Sequence, residues 1–455
     1  MTWQQQLKLT IWLSFPAILA QFSSVLMQYI DASMVGRLGA NESASIGLVS
    51  TTIWLFGGLA STVCSGFSVQ VAHSIGANDY QKARNIARQS LLSTVLFGIL
   101  LCIIGTSISG GLPVWLGGNK DITGLASEYF FIYALCLPVM EINYMSGAVL
   151  RCSGNMKVPS MLNIMMCVMD VVFNFLLIFP THHLDIAGMN IVIPGAGLGV
   201  VGAALGTAIA VFITAMSKLY FLCFRSGDLS LMKHHHDNFK YNFRFLKTAA
   251  KISAPMSCER IVMCGAQIAS TLIVAPLGTI AIAANSFGIT AESLCYMPGY
   301  GISEAATTLI GQSLGAGRRE LTSRFSKITV LMGIGVMSLM GVVLYVCAPY
   351  MMQLMTPHSE IVSLGVDALR IEAFAEPMFA ASIVCYGIFV GAGDTFVPAC
   401  MNLFSIWAVR LTLAWFLAPS MGLLGVWTAM CIELCFRGVI FLCRLKFGKW
   451  QRKLV

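Results

Sequence analysis

The sequence predicts an all-α polytopic membrane protein with twelve transmembrane helices, arranged as two pseudo-symmetric six-helix bundles. Of its 455 residues, 57% are hydrophobic and only 11% are charged, and the mean hydropathy is +0.79, which excludes a soluble domain of this length. Twelve apolar stretches approach the roughly 20 residues that one membrane crossing needs. The second half of the chain also repeats landmarks of the first. These three observations define the fold class.

The predicted spans follow one another along the whole chain with short connections. They are residues 10–36, 46–72, 88–113, 125–150, 158–180, 198–223, 248–276, 281–310, 326–350, 367–391, 397–418 and 422–443. The first of them is too long for the apolar core of a cleavable signal peptide, and no small-residue cleavage site follows it. We therefore predict that it is a membrane span.

Six landmarks recur 239 residues later. The pairs are Pro16 and Pro255, Leu38-Gly39 and Leu277-Gly278, Gly76-Ala77 and Gly315-Ala316, Pro138 and Pro377, Gly154 and Gly393, and Pro159 and Pro398. Near the end of each half the shift falls to 223, because Gly199 matches Gly422. This repeat predicts an amino-terminal six-helix lobe at 1–223, a linker at 224–246 and a carboxy-terminal lobe at 247–455. An even number of spans per repeat gives both lobes the same orientation in the membrane.

Basic residues concentrate in the loops after the even-numbered spans, in the linker and in the tail from Arg444 to Lys453. The positive-inside rule then places both termini in the cytoplasm of a bacterial cell, with the chain crossing the inner membrane many times. The net charge of +8 is explained by this asymmetry. It therefore gives no indication of nucleic-acid binding.

Asp31 is the one acid in the first span. A charge within a lipid-spanning helix costs roughly 2.5 to 3.5 kcal/mol on insertion scales, so it normally faces a cavity or a partner. Gln28, Ser24 and Gln21 precede it by three, seven and ten residues and share its helix face. This face is predicted to look inward.

Span five carries Asn163, Asp170 and Asn174 at spacings of seven and four, hence on one face. Counting residues along the spans places Asp170 and Asn174 of span five, and Thr207 of span six, at a similar depth in the membrane. All three side chains can therefore meet Asp31 in the outer half of the membrane. Two carboxylates in a low dielectric favour sharing one proton or enclosing one cation. The alternative is a purely structural hydrogen-bond cluster.

Other intramembrane charges lie in both halves. Glu141 on span four either attracts cationic substrates or pairs with Lys218. In the second half Arg410 requires an anionic partner, for which the candidates are Glu259, Glu292 and Glu433. We interpret this set either as ion pairs that brace the lobe or, for Glu259 and Glu292, as groups that take part in coupling or attract substrate.

Three motifs resemble the multidrug and toxic compound extrusion (MATE) family over essentially the whole chain. They are Asp31 to Gly39, Met297 to Ala316 and Leu198 to Ala204. The resemblance implies the V-shaped MATE fold and an antiporter, not an enzyme. It implies alternating-access export of amphipathic, cationic organic compounds in exchange for H⁺ or Na⁺. It further implies a monomer in membrane lipid that binds small molecules and needs no cofactor.

The DinF-like branch of the family handles its coupling ion with an acid on the first helix and polar groups on the fifth and sixth. By this resemblance Asp31, Asp170, Asn174 and Thr207 form the H⁺ or Na⁺ site, and Pro16 falls where the family has a helix-bending proline. The chain departs from the family pattern by placing the acid before the amide on span five. Another branch of the family carries an acid further along span seven, but the nearest position here is Met263, so that site is not carried over.

Three alternatives to efflux are considered, two of them transport proteins and one an enzyme. A flippase of lipid-linked precursors, from the same superfamily, would line its cavity with basic residues, whereas the first-half stripe is acidic and amide-rich. An integral membrane transferase would need Asp-rich or His-rich surface motifs that the sequence lacks, and a channel would need a filter-like loop. Cation-coupled efflux is therefore the favoured prediction.

Overall fold

The computed structural model describes residues 2–186, 189–233 and 241–451, without the side chains of residues 182–193. Part of the predicted linker at 224–246 therefore lies outside the described residues. Helices dominate this part of the chain, in agreement with the predicted all-α polytopic fold.

The helices follow the predicted spans in order. They are α1 (Trp3–Gly36), α2 (Ala40–Gly76), α3 (Tyr80–Ile108), α4 (Leu112–Trp115), α5 (Lys120–Cys152), α6 (Lys157–Ile178), α7 (Gly199–Tyr220), α8 (Phe243–Val274), α9 (Thr279–Gly315), α10 (Arg319–Met355), α11 (Ser359–Ala373), α12 (Glu376–Gly391), α13 (Phe396–Phe404), α14 (Thr412–Met421) and α15 (Leu423–Phe447). A π-helical turn, Phe221–Arg225, extends α7, and another, Ser405–Leu411, joins α13 to α14.

Ten helices of the described chain are long and apolar enough to cross a membrane, and a bent pair brings the number to eleven. The predicted span 281–310 falls within α9, which is not among these helices. The sequence of α9 is rich in Ala, Gly, Ser and Thr, and these small residues lower its hydropathy. The bent pair is α11 and α12, which meet at 58° within the predicted span 367–391.

Two short strands stand in the connection between α6 and α7. They are β1 (Pro180–Ile186) and β2 (Met189–Ala196), paired antiparallel from Pro180 opposite Ala196 to Ile186 opposite Met189. The sequence predicts only a loop here. The hairpin also explains the change in repeat shift, since the extra residues of the first half form it.

The chain divides into two compact units. The amino-terminal unit consists of Ser23–Val71 and Tyr80–Ala249. The carboxy-terminal unit consists of Met1–Phe22, Ala72–Asp79 and Ala250–Val455. The predicted lobes differ from these units mainly in two pieces, because the start of α1 and the end of α2 are assigned to the carboxy-terminal unit.

Each unit has its own apolar core. In the amino-terminal unit Phe56, Phe130 and Leu137 are buried together between α2, α3 and α5. In the carboxy-terminal unit the largest fully buried side chain is Trp427, whose Nε1 donates a 3.0 Å hydrogen bond to Asn285 Oδ1. These apolar cores fix the packing of the helices in each unit, and buried charged side chains lie on the same helices.

The first helix is continuous through Pro16. Its beginning packs on α9 within the carboxy-terminal unit, where Gly301 leaves room for the backbone of Ile18 and Gln21 Nε2 donates a 3.3 Å hydrogen bond to Glu304 Oε1. A bend at Pro16 stays a prediction.

Candidate functional site

One amide joins two carboxylates inside the amino-terminal unit. Asn174 Nδ2 on α6 donates to Asp31 Oδ1 on α1 at 2.9 Å and to Asp170 Oδ2, one turn earlier on α6, at 3.0 Å. The two carboxyl groups are close enough to interact directly. The hydroxyl of Thr207 on α7 faces the Asp170 carboxyl. The four side chains that the sequence predicted to meet therefore do meet.

Close packing of α6 and α7 sets this geometry. A Cβ atom at Gly206 would lie only 2.9 Å from the backbone nitrogen of Asn174, and one at Gly202 would lie equally close to the nitrogen of Ile178. Because glycine has no side chain, the two backbones approach each other closely here. At this close approach Asn174, whose amide reaches Asp31 on α1, lies directly against the helix that carries Thr207.

The site is largely shielded from solvent. Asp170 and Asn174 are each 1% exposed, and Asp31 is half-buried. Asp170 Oδ1 and Asn174 Oδ1 accept no hydrogen bond from the described residues. Two carboxylates with one shared amide donor leave excess negative charge in an apolar interior, which is costly unless a proton or a cation neutralises it.

The remaining predicted residues of the first half lie apart from this centre. Gln28 is exposed. Glu141 is fully buried and accepts a 3.2 Å hydrogen bond from the Cys64 thiol. Asn163 lies on the same face of α6 as Asp170, but its Oδ1 accepts a 2.6 Å hydrogen bond from Lys218 Nζ.

In the carboxy-terminal unit Arg410 pairs with Glu433, one of its three predicted partners. Arg410 Nη2 lies 2.7 Å from Glu433 Oε2, and Arg437 Nη2 lies 2.6 Å from Oε1. Ser405 also donates to this carboxylate. The π-helical turn Ser405–Leu411 carries both Ser405 and Arg410. One fully buried carboxylate thus holds two guanidinium groups, which fits the interpretation as a structural brace.

Glu259 and Glu292 are held differently. Glu259 accepts 2.7 Å hydrogen bonds from the Tyr386 hydroxyl and from Asn402 Nδ2. Glu292 is 6% exposed and lies within electrostatic range of Arg410. Their part in coupling or substrate attraction stays a prediction.

Two buried acids were not singled out from the sequence. Glu372 at the end of α11 and Glu376 at the start of α12 are fully buried, and their carboxyl oxygens have no hydrogen-bond partner among the described residues. Both lie within electrostatic range of Glu292. Their position inside an apolar span was the available signal, since acids at membrane depth are rare and functional.

Glu372→Gln is expected to change the free energy of unfolding by about 1 kcal/mol or less. Glutamine keeps the shape of the side chain, and the carboxyl group has no hydrogen bond within the described structure to lose. Thermal unfolding of purified protein in detergent measures the effect. A loss of several kcal/mol would contradict this expectation and would mean that a compensated charge resides there.

A repeated set of membrane helices that buries charged side chains is typical of transporters. The family is identified by comparison: the MatE family model matches residues 16–176 and 255–416. The chain belongs to the MatE family. The match falls once in each half and begins at Pro16 and at Pro255, the first pair of landmarks in the repeat.

Relatives and solved structures agree with this family over nearly the full length. A probable multidrug resistance protein NorM from Thermotoga maritima is 22% identical over 97% of this chain and 93% of its own. Another from Idiomarina loihiensis is 25% identical over 97% and 94%. A solved multidrug resistance MATE family transporter has a TM-score of 0.89 at 20% identity, covering 98% and 97% of the two chains.

The predicted resemblance to MATE proteins is thus confirmed, and so is the fold. The chain is a multi-pass membrane transporter and not an enzyme. Its assignment to the DinF-like branch stays a prediction. Among the described residues, no group of three or more His, Cys, Asp or Glu side chains could hold a metal ion. The site at Asp31 contains two such residues, Asp31 and Asp170.

Proposed function

We propose that the protein is a cation-coupled antiporter that exports amphipathic, cationic organic compounds by alternating access, with H⁺ or Na⁺ as the coupling ion. The observation that carries the proposal is the single amide of Asn174 shared by the carboxylates of Asp31 and Asp170. Relatives named as multidrug resistance proteins support the class of substrate. The excess of basic residues in alternate loops supports a cytoplasmic location of both termini in a bacterial inner membrane.

The site offers two ways to neutralise its charge. A proton would convert one carboxylate into a donor, which could then bond to the other. A Na⁺ ion would instead find oxygen atoms, the ligands that hard cations prefer, at Asp31, Asp170 Oδ1, Asn174 Oδ1 and Thr207. H⁺ and Na⁺ would therefore compete for one place. Occupation changes the local charge by one, and this change would shift the balance between two states of the transporter.

Substrate attraction has separate candidates. Gln28, Asn163 and Glu141 in the first half, and Glu259 and Glu292 in the second, are polar groups at membrane depth that a cationic compound could meet. A flippase for lipid-linked precursors remains the second candidate within the superfamily. The acids and amides around Asp31 favour a cationic substrate over an anionic lipid pyrophosphate.

Asp31→Asn is expected to abolish exchange of a cationic dye for H⁺ or Na⁺, because the site loses the charge that the coupling ion neutralises. Purified protein in proteoliposomes is compared under an imposed Na⁺ gradient and under an imposed pH gradient. Asp121→Asn, at an exposed acid in the first turn of α5, should exchange like the native protein. Native rates in Asp31→Asn under the effective gradient would refute the assignment.

A further inference from the structure

A cavity of about 850 Å³ lies within the carboxy-terminal unit, between the first turns of α10 and the end of α15. Arg319, Ser323, Lys327 and Leu331 line it from α10, at spacings of four residues that place them on one helix face. The last turns of α15 and the residues that follow them form the other wall. Helix α12 packs against both α10 and α15, so the two walls of the cavity are fixed in place.

Four basic side chains line this cavity, and its described lining includes no acid. Arg319 and Lys327 come from α10, and Lys446 and Lys449 come from the end of α15 and the residues after it. Glu320, which follows Arg319 in the sequence, pairs with another arginine of α10. A cleft lined by charges of one sign concentrates ions of the opposite sign. The ligand that fits this cavity is therefore an anion.

The lining becomes apolar further along the two helices. Val330, Leu331 and Leu442 lie there, away from the helix ends that carry the bases. Leu331 is 65% exposed and lies about 18 Å along α10 from Arg319. Both α10 and α15 are apolar enough to cross a membrane, so an exposed leucine at this level contacts acyl chains. The lining thus changes from charged to apolar in the direction from the membrane surface to its interior.

Trp450 gives the charged end of the cavity a rigid wall. It is 2% exposed, and its Nε1 donates a 2.9 Å hydrogen bond to the carbonyl oxygen of Leu445. Its ring also packs on Phe389 of α12, with 6.0 Å between the ring centroids. These contacts hold the segment after α15 in place, with Lys449 beside the cavity. Tryptophan is enriched at the membrane–water interface, which is the depth of lipid headgroups.

The first half shows that the equivalent groove accommodates oxygen atoms. By the shift of 239 residues Lys327 corresponds to Arg88, and by the shift of 223 the end of α15 corresponds to the π-helical turn that extends α7. There the linker itself lies against α3. Arg88 Nη2 donates a 2.8 Å hydrogen bond to the carbonyl oxygen of Leu231, and Arg84 Nη1 donates one of 2.7 Å to that of Asp228. A ligand with anionic oxygen atoms would complete the same pattern beside Lys327.

We propose that this cavity binds an anionic phospholipid, with the phosphate group between the basic side chains and the acyl chains beside Leu331. Basic pockets between membrane helices on the cytoplasmic side bind such headgroups. The proposed cytoplasmic location of both termini assigns the lipid to the cytoplasmic leaflet. The chain's own end is a poor occupant, because Arg452 and Lys453 add positive charge and do not neutralise it. A soluble anion would make no use of the apolar part of the lining.

Native mass spectrometry of the delipidated protein, titrated with phosphatidylglycerol, measures the affinity. Phosphatidylcholine with the same acyl chains carries no net charge and should bind more weakly. Lys327→Gln combined with Lys446→Gln should weaken phosphatidylglycerol binding about 30-fold, because each basic residue near a membrane surface contributes about fivefold in affinity. Lys157→Gln combined with Lys247→Gln makes the same charge change at exposed lysines of α6 and α8. This control should bind phosphatidylglycerol like the native protein.

Leu331→Gln keeps every charge and tests the apolar part of the cavity. It should weaken phosphatidylglycerol binding about threefold or more, because a lipid loses apolar contact there. Equal binding of the two lipids, or equal affinities of the two double lysine variants, would overturn the site. Displacement of phosphatidylglycerol by an excess of inorganic phosphate would assign the cavity to a soluble anion and overturn the lipid. These measurements follow lipid binding alone, so their outcome is independent of the antiport that Asp31→Asn tests.

Discussion

Asn174→Leu is expected to lower cation-driven transport about 100-fold. This amide is the donor that Asp31 and Asp170 share, and hydrogen bonds to charged groups contribute about 1.5 to 3 kcal/mol each, so their loss removes the geometry that holds an ion. Leucine branches at Cγ as asparagine does, but its methyl groups are larger than the polar atoms that they replace beside Gly206. Size-exclusion chromatography of the purified variant therefore accompanies the transport assay, and a folded variant is expected to fail in coupling.

The measurement is gradient-driven exchange in proteoliposomes, with binding of the organic compound assayed separately. The double variant Asp31→Asn with Asn174→Leu should be no slower than Asp31→Asn alone, because both changes disable one unit. Asn402→Leu makes the same replacement in the second half, where it removes a hydrogen bond to Glu259. The exchange rate of Asn402→Leu should stay within about threefold of the native rate. A loss as large as that of Asn174→Leu would contradict the prediction and would assign the coupling site to the second half.

Glu433→Gln is expected to destabilise the protein by about 3 to 5 kcal/mol, the cost of leaving buried charges without their partner. The glutamate is fully buried and accepts both Arg410 and Arg437. Its removal leaves two guanidinium groups facing each other in an apolar interior. The midpoint of thermal unfolding in detergent should fall clearly.

Glu320→Gln is the matched control, since it breaks a pair with Arg324 whose side chains are 81% and 50% exposed. That change should cost about 0.5 kcal/mol or less. Adding Arg410→Met and Arg437→Met to Glu433→Gln should recover most of the lost stability, because no charge then remains uncompensated. Equal midpoints for the Glu433 and Glu320 variants would contradict the structural role.

Much of the candidate site could be predicted because helical spacing is a local property. Asp170 and Asn174 share a face of α6 by their separation of four residues alone, and the cost of Asp31 in lipid indicates that it needs a partner. The contact between α1 and α6 depends on tertiary packing. It was anticipated only through helix depth and family resemblance.

The features that escaped prediction depend on packing or on backbone irregularity. Lys218 on α7 donates hydrogen bonds to Asn143 on α5 and to Asn163 on α6. Because these amides belong to other helices, the spacing of residues along α7 does not reveal them. Glu372 and Glu376, which have no hydrogen-bond partner among the residues that the structure describes, lie at the 58° break between α11 and α12. The hydrophobic pattern predicts one continuous span there. Membrane proteins tolerate such breaks where the freed backbone is buried in protein.

The π-helical turn at Ser405–Leu411 alters how the two halves should be aligned. A π-helical turn contains one residue more than an α-helical turn. After this turn, the offset in residue number between equivalent positions of the two halves therefore increases by one. The family matches begin 239 residues apart, at residues 16 and 255, and end 240 apart, at residues 176 and 416, which agrees with one additional residue in the second half. Arg410 lies within this turn, at or next to the counterpart of Asp170. The two copies of the repeat therefore carry opposite charges at this level of the helix, an anion in the first half and a cation in the second.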